Sequence, residues 1–283
     1  MFPSPDQIQV AAYHRWMNRG GHHGYHDSDW AAAEQELLFA LNYRVIARHR
    51  LDGIAPQYLG DEDEPRCRFC ERTAPRATFA GPRPALPKFL GNDSLFTSEV
   101  CDDCHAQFRT GLDGDLERFT RPAREGQGVS GPTQAFVPVA AFKGLALAAL
   151  AVMPEDELGV FEDAVEWVSN PDHGLDSRSI RGLSCIVHAL PAAMPFSWVA
   201  LARRVDEDDP MPYMIAFFGT GPAVFQIALP LCTRDEDIEG DWIVPRLPSP
   251  FGPGRGPDGV ATTVVPLSSP EPRAETAAPR AGH

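Results

Sequence analysis

With 283 residues, 43% of them hydrophobic and 23% charged, the chain has the composition of a globular protein with room for about two cores. Its apolar run GLALAALAVM, at 144–153, is too short to cross a bilayer, and no signal-peptide pattern opens the sequence, so we expect a cytoplasmic protein with reduced cysteines and no membrane partner. The net charge of −14 works against a general phosphate-binding surface, because nucleic-acid affinity comes largely from Lys and Arg displacing counterions.

Residues 1–51 read as a helical hairpin. Ile8, Ala12 and Trp16 recur at helical spacing, and Gly20-Gly21 should end the first helix. Asp27 or Ser28 can cap the second, whose face runs Trp30, Ala33, Leu37, Leu41 and Val45. A Tyr and a Trp in the first helix, a glycine turn and then DSDWAAAEQEL resemble a short bacterial family known only by a domain-of-unknown-function label, which implies shape and no activity. Three histidines of the turn, His22, His23 and His26, could bind a transition metal, or could be tolerated in a polar turn.

Residues 52–65 are acidic and closed by proline, which reads as a linker. The next segment, 66–121, holds Cys67-x-x-Cys70 and Cys101-x-x-Cys104. Each pair can aim two thiolates at one ion, and two pairs complete a closed tetrahedral zinc site with no open position for chemistry. Redox or disulfide chemistry is the alternative, but a thioredoxin-like motif needs one pair and nothing marks the chain as secreted.

Between and around these pairs, CRFC, ATF, ALPKFLGN and CDDCHAQF resemble, in order and spacing, the HNH endonuclease group with a four-cysteine zinc site. The resemblance implies a zinc-ribbon or ββα-metal-like module, a DNA partner and a catalytic magnesium or manganese ion. The strand position that carries the family's general-base histidine is Pro84, which cannot titrate. The Asn after the second cysteine pair is His105, the Gly of the family's F-G is Arg109, and Asn92 of LGN is retained. The resemblance therefore implies a nuclease scaffold that has lost catalysis, with Asn92 and His105 as the candidate catalytic residues of the alternative, an active metal-dependent enzyme. Ten Lys/Arg stand against eight Asp/Glu from Arg66 to Arg124, so a groove lined by Arg76, Arg83, Lys88 and Arg109 is possible, as is a merely solvated face.

A second connector, 122–138, leads to an α+β region at 139–245. An apolar helix from Ala140 to Met153 precedes another whose face is Leu158, Phe161, Val165 and Val168. Then IRGLSCIVHAL, FSWVALARRV, YMIAFFG and AVFQIALPLC read as three to four antiparallel strands with the helices on one face. This region is the expected surface for a protein partner. Cys185 and Cys232 read as buried hydrophobes, and Asp235, Glu236 and Asp237 as a solvated turn rather than metal ligands. From Arg246 on, Pro, Gly and small polar residues predict a disordered tail, 246–283.

Overall fold

The computed structural model describes residues 1–61, 63–127, 136–172, 183–206, 209–238, 243–246 and 260–267. The middle of the second connector and most of the tail, both assigned from sequence, lie outside them.

Helix α1 (Pro5–Asn18) starts at a reciprocal cap: the Ser4 hydroxyl accepts from the Gln7 amide at 3.3 Å and the Gln7 side chain accepts from the Ser4 amide at 2.8 Å. Gly20 and Gly21, both at positive φ, end it. Helix α2 (His26–Asn42) begins two or three residues earlier than a cap at Asp27 or Ser28 would set and has no side-chain cap. Two buried-side ion pairs, Arg15–Glu36 at 2.5 Å and Arg19–Asp29 at 2.5 Å, lock it to α1. The face it buries is Ala33, Leu38 and Phe39, rotated from the expected one, and Trp30 is exposed.

The helical reading of 43–50 is corrected. The Asn42 side chain donates to the Leu38 carbonyl at 2.7 Å, and from Tyr43 the backbone is extended. Strand β1 (Tyr43–Arg50) then pairs antiparallel with β6 (Trp198–Arg204) through seven residue pairs. Long-range pairing of Val45 and its neighbours outweighs the continued helical periodicity.

With β5 (Ser184–Ala189), β7 (Met214–Thr220), β8 (Ala223–Ala228) and β9 (Ala261–Pro266), these strands form a six-stranded antiparallel sheet in the order β1-β6-β7-β8-β5-β9. The fold class is α+β. Two corrections follow. The tail is not uniformly unstructured, since β9 pairs with β5 along its whole length, and Ala261-Thr-Thr-Val-Val has the β-branched content of a strand. The sheet is also covered on both faces. Along β7, Met214, Ala216 and Phe218 point into one core, and Ile215 and Phe217 into a second, with Leu38 and Phe39 of α2. The period of two separates the sets, and coverage on both sides is why all seven β7 residues are buried.

The larger core runs without a break from the sheet through α5 (Val139–Ala151), α6 (Glu162–Ser169) and α4 (Asp113–Arg124) into the cysteine segment. There a small sheet of β2 (Gln57–Leu59), β4 (Leu95–Thr97) and β3 (Arg83–Pro84) lies before α3 (Asp102–Gly111). Strand β2 is parallel to β4 and lies inside the stretch read as a linker. Gly91, at φ +85°, sits so close to Ser197 that a Cβ there would collide with its side chain. Arg68 donates to the Leu150 and Met153 carbonyls at 2.6 and 3.1 Å, satisfying orphan acceptors at the end of α5.

Candidate metal centre and the cleft beside it

Cys67 and Cys70 lie on a tight knuckle. The Cys67 amide donates to the Arg72 carbonyl at 3.0 Å, the Glu71 amide to the Cys67 carbonyl at 2.7 Å, and Glu71 takes the left-handed conformation that turns the chain back. Cys101 is the residue before α3 and Cys104 is in its first turn, where the helix dipole and free amides favour thiolates. The structure thus brings all four expected ligands together, with their sulfurs within 4.8 Å of one another. A tetrahedral four-sulfur site with metal–sulfur bonds of ~2.3 Å needs sulfurs ~3.8 Å apart, and Cys70 and Cys101 stand at 3.7 Å. The set fits a metal ion. It is also the group of potential ligands that converges among the described residues.

The Cys104 thiol and then the amides of Cys101, Cys70 and Phe69 hold the Cys67 thiol down at about 4, while its contact with Cys67, and then burial, push Cys104 up. Such a cluster carries one thiolate easily and resists more until a cation joins it. Arg72 donates to Cys70 at 3.3 Å from outside. Phe69 and Phe108 pack edge to face at 4.9 Å behind the sulfurs.

Other candidates do not gather. His22, His23 and His26 are exposed on the turn between α1 and α2. Asp235 is buried and accepts from Arg204 at 3.1 Å and the Tyr213 amide at 3.0 Å, so it braces the sheet and is not the solvated residue expected. Burial raises its carboxyl to about 6. Cys185 and Cys232 are buried, as expected, and burial raises both thiols.

The two candidate catalytic residues part company. Asn92 is 1% exposed, and its amide is fully used: it donates to the Leu86 and Leu95 carbonyls and accepts from the Leu95 amide, each at 2.9 Å. It closes a loop. His105, by contrast, lines a cleft together with Pro84, Lys88, Arg109 and Asp113. Burial, then Arg83 and Arg109, depress its imidazole. Arg83 approaches His105 at 3.5 Å and is ion-paired to Asp102, whose carboxyl is held at about 2 by Thr78 first and Arg83 second. Of the expected basic groove, Lys88 and Arg109 reach the cleft wall, Arg83 lies behind His105, and Arg76 is elsewhere on the surface.

Asp113 carries no motif, and sequence reading missed it. It joins the cleft only because α3 and α4 fold back on each other, and burial raises its carboxyl to about 6. Among the described residues no helix is long and apolar enough to cross a membrane. No curated protein and no solved structure matches the chain. Residues 3–38, which span α1 and most of α2, match a family described as a protein of unknown function, DUF2934.

Proposed function

We propose that this is a zinc-stabilised, HNH-endonuclease-like protein that has lost phosphodiester hydrolysis and binds nucleic acid through the cleft beside its metal centre. In support of zinc, four converging sulfurs, with no oxygen or nitrogen ligand joining them among the described residues, favour a closed thiolate site. In support of the relation stand the quoted CRFC, ALPKFLGN and CDDCHAQF segments and the β3–β4–α3 order between and after the cysteine pairs. The observation that carries the functional reading is the cleft itself. Pro84 occupies its wall, Asn92 is turned away into a loop, and its exposed charged groups are the cations Lys88 and Arg109, with Asp113 half-buried. Pro84 stands where the family carries its general base, and among the described residues no open metal site converges on the cleft, so the cations suit holding a phosphate backbone more than cleaving it.

The test uses the full-length, metal-loaded protein. With plasmid DNA and magnesium or manganese we expect no nicking above a His105→Ala variant. Fluorescence anisotropy should show binding that weakens with salt, with a log–log slope of roughly −2 that Lys88→Ala/Arg109→Ala flattens by about 1 to 2. Metal-dependent cleavage removed by His105→Ala would instead favour the second reading, an active endonuclease, for which His105 at the cleft wall speaks. If salt leaves binding unaltered, or no DNA binds and a protein is captured through the C-terminal sheet, the nucleic-acid reading falls.

A further inference from the structure

The cleft, in which Lys88 and Arg109 are the exposed charged groups, holds about 300 Å³, at the small end of the ~300–1,000 Å³ range of ligand pockets. Three aromatic rings, Phe69, Phe89 and Phe108, form its sides, and Leu147 and Ala151 of α5 close its back. Phe69 and Phe108 are fixed edge to face, and Phe89 is held from behind by the Arg124 guanidinium, 5.5 Å over its ring. Apart from the rim cations, the ionisable groups on its wall are His105 and Asp113.

Apolar walls, aromatic rings and a cationic mouth are the parts from which single-strand binders are built, with bases against the rings and phosphates on the cations. A base still paired and stacked in a duplex is not free to enter a cavity of this size. Resting on the reading above that the cleft binds nucleic acid, we infer that the cavity is a socket for one unstacked base of a single strand, and that Asp113 selects bases carrying an exocyclic amino group. A carboxylate accepts from the amino groups of adenine, cytosine and guanine, as acidic side chains do from cytosine N4, whereas thymine presents an acceptor there. Burial, which raises the Asp113 carboxyl to about 6, marks this acceptor as desolvated.

The experiment measures anisotropy of single-stranded and duplex oligonucleotides at fixed salt, with 2-aminopurine as a fluorescent base in the single strand. We expect the single strand to bind roughly tenfold or more tightly than the duplex, 2-aminopurine fluorescence to change on binding, and an oligo-dC to outcompete an oligo-dT. Ala151→Leu, which fills the back of the cavity, should bring single strand and duplex to parity while the salt slope stays; its folding is checked by metal content and melting. Should that variant fail to fold, Asp113→Asn serves, and it should erase the dC-over-dT preference. Salt-dependent binding that is equal for single strand and duplex, silent to 2-aminopurine and indifferent to either variant would overturn the socket and leave the backbone-binding reading standing. No binding of either form would overturn both.

Discussion

At Asn92 the residue type suggested chemistry and the structure gives it architecture. Losing its amide would strip the Leu86 carbonyl and the Leu95 amide of this partner inside the core, while the Leu95 carbonyl keeps the Ala85 amide at 3.0 Å. Asn92→Ala should therefore cost roughly 3 kcal/mol, read as a lower melting temperature. Cys101→Ser opens the sulfur cluster, and metal binding is part of the folding free energy of such a module. We expect elemental analysis to find one zinc per chain in the natural protein and none in the variant, with early protease cleavage across 66–121; a folded variant without metal would sink the structural role. Asp113 sets a pH dependence. Its carboxyl is raised from 3.8 to about 6 by burial first, with Arg109 opposing and Glu117 adding. The folded state then holds this proton more tightly than the unfolded chain, so the group favours the fold below about pH 4 and that benefit is lost as pH rises through 6. Asp113→Asn, which does not titrate, should gain in melting temperature relative to the natural protein between pH 4 and 6.5 and hold that gain above. A difference flat across that range would show the carboxyl to be solvated. The cysteines were legible because their chemistry is local, two turns of four residues each. Asp113 and Phe89 were not, because what defines them is a cavity assembled by α4, α5 and the loop before β4.

Among the elements, those whose pattern is fixed by their own burial were readable: α5 is apolar but for Lys143 and buried along most of its length, and the four C-terminal strands stand where their aromatic and β-branched runs place them. Two strands were not. In β1 the helical spacing through Val45 continues past the point where the Asn42 cap stops the helix, and only the partner strand β6 decides the outcome. In β9 a strand-forming run is set among prolines and glycines, so composition hid it. A tail disordered from 246 on would be removable without loss of compactness. The structure predicts otherwise. Val265 is 2% exposed in the main core, and its strand covers the hydrogen-bonding edge of β5. A chain ending at Arg246 should melt several degrees lower and self-associate through the bared edge, by the pairing that unprotected edge strands invite. Size-exclusion chromatography over a range of concentrations checks this; a monomer with unchanged melting would show β9 to be dispensable.

For the whole molecule, the continuous core means that the metal segment and the sheet stabilise each other. Arg68 ends α5, Arg124 holds the Phe89 carbonyl at 2.6 Å, and the Leu51 amide reaches the Ser197 carbonyl at 2.8 Å. The acidic net charge and the cationic cleft mouth are compatible in one molecule because the excess acid is local, with eight Asp/Glu and no Lys/Arg across 155–176. The order of strands carries one more consequence. The outermost strands come from opposite ends of the chain, β1 at Tyr43–Arg50 and β9 at Ala261–Pro266, while the four between them arise from 184–228. On the ribosome, β1 emerges about 140 residues before any strand of this sheet and at least seven seconds early, at synthesis rates of ~5–20 residues per second. The α1–α2 pair attached to it must wait through that interval with Leu38 and Phe39 uncovered, so the nascent chain is a stage at which a chaperone has something to hold.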